Sequence, residues 1–121
     1  MNTGYTALDN SASLDILQCI IHGNEVGSPM GEGWADGGGM YISGGIVTVL
    51  DSVFHTNSAG GGPNMGGGIF LSSGSLTAER NEFRNNVNQG IYAEGGTLIL
   101  RSNIFVDNSV VDSGNAASRG Q

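Results

Sequence analysis

The chain has 121 residues, with no lysine, four arginines and eleven acidic residues, for a formal net charge of −7. Nucleic acid is bound by neutralising its phosphates with cations, so this balance argues against nucleic acid, and against an anionic membrane surface, as a partner. The length fits a single domain spanning 1–121. The 22 glycines with a hydrophobic fraction of 38% point to a turn-rich all-β repeat or a flexible segment, between which the repeat decides for the former. No apolar run nears the roughly 20 residues of a membrane helix, so no membrane insertion is expected.

The first ten residues, MNTGYTALDN, have neither the basic nor the apolar region of a signal peptide. From Ala7 onward the chain repeats. Four frames of 18 residues align without internal gaps: 7–24, 40–57, 69–86 and 91–108. All variation in length falls between frames, in the segments 25–39, 58–68 and 87–90, followed by a tail at 109–121. A repeat of this period with insertions confined to one corner is the pattern of a solenoid of stacked units.

Within a frame, apolar residues alternate by two, as over Met40-Ile42 and Val47-Val49. That alternation marks strands with one buried face. The sixth column reads Ala12, Gly45, Gly74, Gly96, a small-residue corner; the eighth reads Leu14, Val47, Leu76, Leu98; the fifteenth reads Ile21, Phe54, Phe83, Phe105. No helical stripe survives among these glycines. The expected fold is a parallel β-helix of four coils, with three short strands per coil.

The last column is Asn24, Asn57, Asn86, Asn108 without exception. Asn tolerates a left-handed corner, and its amide both donates and accepts, so identical residues one coil apart form a hydrogen-bonded ladder. Cys19, Ser52, Asn81 and Asn103 form a second polar column. The lone Cys19 allows no intrachain disulfide, and its place in this column reads as a small buried residue.

The runs GGGM (37–40) and GGGI (66–69), with FHTN (54–57), FRNN (83–86) and FVDN (105–108), resemble the GGxI and FxxN repeats of polymorphic outer-membrane proteins, autotransporter passengers and related adhesins. The resemblance covers about Ala7 to Asn108. It implies a right-handed parallel β-helix and an adhesion-type function, with carbohydrate or protein as ligand. Frame one departs from the pattern, with IHGN (21–24) and no Gly-Gly before Ala7. An extracellular or cell-surface location follows if the chain is a piece of such an adhesin, and a cytoplasmic one otherwise.

If the first column points inward, the second points out, aligning Leu8, Tyr41, Phe70 and Tyr92. Tyr41, Phe70 and Tyr92 are the candidate binding row, with Trp34 in the long 25–39 segment placed to join it or to cover it. The sixteenth column stacks His22, His55, Arg84 and Val106. It reads as a solvated ladder, because a metal site needs at least three ligands. Glu79 with Arg101, and Asp51 with Arg80, read as surface ion pairs across coils. Asp15, Asp51, Glu79 and Glu94 offer no converging acid/base pair, so catalytic residues, metals and cofactors are all expected to be none. The binding or adhesion reading competes with a structural, self-assembling β-helix, and more distantly with a polysaccharide lyase or hydrolase. Open ends of the solenoid lead to an expectation of homo-oligomers through coil ends or edges.

Overall fold

The computed structural model describes residues 12–27, 37–59 and 66–108. Coil one contributes β1 (Ser13–Leu17), β2 (Ile20–His22) and β3 (Glu25–Val26). Coil two contributes β4 (Met40–Leu50), β5 (Val53–His55) and β6 (Ser58–Ala59). Coil three has β7 (Ile69–Glu79) and β8 (Glu82–Arg84), and coil four has β9 (Ile91–Ala93), β10 (Thr97–Arg101) and β11 (Ile104–Val106).

Every strand pairs in parallel with its counterpart one coil away. The first sheet runs β1-β4-β7-β10 with β9 also on β7, the second runs β11-β8-β5-β2, and the third joins β3 to β6. The register follows the repeat columns: Met40 lies beside Ile69 and Ile69 beside Ile91, and Phe54 lies beside Phe83 and Phe83 beside Phe105. A shift of one residue would turn each apolar set outward, so the alternation itself pins this register.

Two details differ from the expectation of three separate strands. In coils two and three the first two strands fuse into one bent strand of 11 residues. The bend falls at Gly45 (φ 76°) and Gly74 (φ 90°), where the register slips between Ile42 and Ile46. Glycine takes up this left-handed geometry without steric cost, so the strand turns a corner and stays paired. Second, the segments 25–39 and 58–68, read as loops, each begin with a short paired strand, extended by a bridge from Ser58 to Val87.

The core lies between the sheets and is built from Met40, Ile42, Val47, Val49, Phe54, Ile69, Leu71, Leu76, Ala78, Phe83 and Ile91. The phenyl rings stack along the coil axis, Phe54 on Phe83 at 5.1 Å and Phe83 on Phe105 at 4.9 Å. Burying each such side chain stabilises the fold by about 1.5–3 kcal/mol.

Besides the glycine bends, each coil turns through two further left-handed residues. One set is Gln18, Asp51, Arg80 and Ser102; the other is Gly23, Thr56, Asn85 and Asp107. The ladder asparagines therefore do not themselves occupy the left-handed position, contrary to the sequence reading. The residue before each one makes the turn, which leaves the Asn side chain free to point inward. The glycine runs have a separate cause. Gly68 donates its N–H to Gln89 O at 3.1 Å and Gly39 donates to Gly67 O at 2.9 Å, and a Cβ on Gly67 or Gly68 would overlap the carbonyl oxygen of Val87 or Gly90.

Candidate functional site

The Asn column forms a continuous ladder. Asn24 Nδ2 donates to Asn57 Oδ1 at 3.0 Å, Asn57 Nδ2 to Asn86 Oδ1 at 3.0 Å, and Asn86 Nδ2 to Asn108 Oδ1 at 2.8 Å. The main-chain N–H of each upstream Asn donates to the same oxygen, at 3.2, 3.1 and 3.1 Å. The side chains also tie off core strands, with Asn57 Nδ2 donating to Ile21 O, Asn86 Nδ2 to Phe54 O and Asn108 Nδ2 to Phe83 O. All four asparagines are buried. A buried polar group must be satisfied in this way, so the ladder is scaffold.

The second polar column behaves alike: Cys19 N–H donates to Ser52 Oγ, Ser52 N–H to Asn81 Oδ1, and Asn81 Nδ2 to Asn103 Oδ1. Its first member departs from expectation. Cys19 is exposed, with its thiol donating to Leu17 O at 3.2 Å. Among the described residues coil one has a neighbouring coil on the coil-two side alone, and the column position that is buried in coils two and three is exposed there.

The aromatic row exists as a stack. Tyr41 pairs with Phe70 and Phe70 with Tyr92 across neighbouring strands. Ring centroids are 5.3 and 5.6 Å apart with interplanar angles of 10° and 7°. Two corrections follow. Phe70 is only 2% exposed, so the middle of the row does not present itself to solvent. The ring faces within the row are spent on one another. Tyr41 and Tyr92 keep intermediate exposure. Trp34 lies outside the described residues.

On the second sheet His22 and His55 stack with centroids 4.9 Å apart and an interplanar angle of 8°. His55 also approaches Thr56 Oγ1 through Nδ1 at 3.0 Å. Burial lowers the pKa of His55, and Arg84 and His22 push it the same way against the opposing pull of Glu82. Among the described residues no group of three or more His, Cys, Asp or Glu side chains is placed to hold a metal ion.

The carboxylates are engaged by arginines. Arg80 binds Asp51 through two bonds, Nε to Oδ1 at 2.7 Å and Nη2 to Oδ2 at 3.1 Å, and also contacts Glu79. This pairing holds Asp51 below the usual carboxylate range. Glu82 pairs with Arg84 at 2.7 Å, and Arg101 reaches Glu79 at 4.0 Å. A groove of about 300 Å³ runs along this corner, lined in part by Asp51, Arg80, Glu82, Ser102 and Ile104. Each of these pairs is solvated and sets register more than it adds stability.

Sequence reading passed over Asn88 and Gln89, both buried with left-handed φ of 65° and 70°. Gln89 Oε1 accepts from Gly66 N–H at 3.0 Å, and Asn88 Nδ2 donates to Ala59 O. The signal available was two amides in a four-residue link too short to hold a free loop.

No curated protein and no solved structure matches the chain. The family model described as right handed beta helix region matches residues 2–120. With parallel strands stacked coil upon coil and a buried Asn ladder at their corner, the chain belongs to the right-handed β-helix family.

Proposed function

We infer that this β-helix is a non-catalytic binding module of adhesion type, contacting carbohydrate or protein through the row Tyr41, Phe70, Tyr92. The observation that carries the reading is the stack itself. Three aromatic side chains occupy one column over three consecutive coils and stack on one another, with Tyr41 and Tyr92 partly exposed at either side of the buried Phe70. Tyrosine supplies large contact area with a polar tip at little entropic cost. The engagement of Asp51, Glu79 and Glu82 by arginines supports binding over hydrolysis, since a general acid and base must be free to meet substrate.

The test is a Tyr41→Ala/Tyr92→Ala variant beside the native chain on an array of glycans and surface proteins. Loss of a ligand bound by the native chain is the expected outcome. Unchanged binding, or no ligand for the native chain, would overturn the reading. A structural, self-assembling β-helix is the second reading, favoured by the apolar side chains gathered on the two terminal coils.

A further inference from the structure

The Asn ladder has a direction. At every step the upstream coil donates, through main-chain N–H and Nδ2, and the downstream Asn accepts at Oδ1. Asn57, Asn86 and Asn108 each receive two donors in this way. Asn24 does not: its Oδ1 is buried without a hydrogen-bond partner, in a residue that is 1% exposed. A buried acceptor lacking a donor is costly and marks a place where a donor belongs. The geometry of the ladder specifies that donor as an Asn one coil upstream. Asn108, at the opposite end, has the complementary lack. Its Nδ2 donates back to Phe83 O, but among the described residues no further Oδ1 lies beyond it as one does for Asn57 and Asn86.

A second, independent observation concerns apolar surface. Large exposed hydrophobic side chains gather on the terminal coils: Leu17 (54%) and Ile20 (66%) on coil one, and Ile99, Leu100, Ile104 (57%) and Val106 on coil four. Among the described residues only Ile46 and Val87 join them from elsewhere. Continuing the repeat by one step sets coil four of one molecule upstream of coil one of another. That step brings Leu98 over Leu14, Leu100 over Ile16, Ile104 over Ile20 and Phe105 over Ile21, with Asn108 over Asn24. Among the described residues no like charges share a column: Asp15 meets Ile99, Arg101 meets Leu17 and Asp107 meets Gly23.

We propose that coil one is a docking face for coil four of a second copy of this chain, joined head to tail, with the Asn108 amide displacing what buries Asn24 in the single chain and donating into Asn24 Oδ1. The contact is β-augmentation between parallel edges, in which main-chain bonds supply affinity and the matched columns supply register. It is heterologous and involves no rotation that closes a ring, so it propagates into open filaments with a rise of one coil, about 4.8 Å, at each joint. The proposal does not depend on the aromatic row.

Two double variants of the 121-residue chain test it, Ile20→Lys/Ile104→Lys and Ile20→Lys/Ile104→Glu. Both carry the same change on coil one, and circular dichroism checks that each folds. At the joint the first places like charges opposite each other and the second places opposite charges. Cross-strand charge pairs differ enough to separate the two dissociation constants by about tenfold. The formal net charge of −7 becomes −5 in the first variant and remains −7 in the second. General repulsion between acidic molecules therefore predicts the reverse order.

Sedimentation velocity from micromolar to millimolar protein is expected to show mass growing with concentration for the native chain and for the Lys/Glu variant, and far less growth for the Lys/Lys variant. Asn24→Ala, which removes the waiting acceptor, is expected to weaken association while the dilute monomer still unfolds near the native midpoint. A single mass for the native chain at all concentrations overturns the proposal. So does equal or reversed association of the two double variants.

Discussion

Replacing Asn57 by Ala removes one residue type at the point where the ladder is most heavily used. Asn57 is fully buried and makes four side-chain hydrogen bonds: Oδ1 accepts from Asn24 N–H and Nδ2, and Nδ2 donates to Asn86 Oδ1 and Ile21 O. Deletion strands the Asn24 N–H and Nδ2 and takes one donor from the Ile21 carbonyl; Asn86 Oδ1 keeps the Asn57 N–H at 3.1 Å. With about 0.5–1.5 kcal/mol for each net bond and about 1–3 kcal/mol for a buried group left unsatisfied, the loss is about 3–5 kcal/mol. Asn24→Ala deletes the same chemistry but, among the described residues, sacrifices a single side-chain bond and removes an oxygen that already lacks a partner. Its expected cost is about 0.5–1.5 kcal/mol or less. Urea unfolding followed by far-ultraviolet circular dichroism, at dilute protein, compares the two. Equal losses at Asn24 and Asn57 would refute the view that bonding within the ladder, and not the Asn side chain as such, stabilises the corner.

Gly67→Ala is expected to prevent folding or to lower the unfolding midpoint sharply, because its Cβ would have to displace the Val87 carbonyl of the next coil; thermal unfolding checks this, and a native-like transition would contradict it. Acidification supplies another measurement. The folded pKa of His55 lies below its ordinary value of 6.5, chiefly through burial and then through Arg84 and His22. Its contribution is thus complete above pH 6.5 and is lost as pH falls through the lowered folded value. Unfolding midpoints are expected to drop over that window and to flatten in His55→Gln, and an identical pH profile for the variant would reject the assignment.

Much of this molecule was legible because a parallel solenoid places equivalent residues of successive repeats side by side. Column agreement is then contact: the match of Met40, Ile69 and Ile91, or of Phe54, Phe83 and Phe105, in the sequence is the same fact as their pairing in space. The Asn column was readable for that reason, and so was the Asp51–Arg80 pair. Three features were not. Phe70 belongs to an outer column by periodicity, yet is covered, because alternation tells which way a side chain points and not what lies on it. Cys19 sits in a column that is interior in coils two and three, yet is exposed, because column membership is blind to whether a coil has neighbours on both sides. The left-handed corner falls on the residue before each Asn, since side-chain chemistry alone does not choose between adjacent positions that both tolerate a turn.

The sequence by itself determined the coil length, the stacking register and the identity of the buried columns. Alternation by two, glycine corners and an invariant Asn are local properties that every repeat restates. Only the tertiary structure decided the polarity of the ladder, the closing of ring faces in the aromatic row and the opening of the terminal coils. Those properties belong to the order and number of coils. A repeat knows its own pattern, while the unfilled acceptor at Asn24 belongs to the first of the described coils alone.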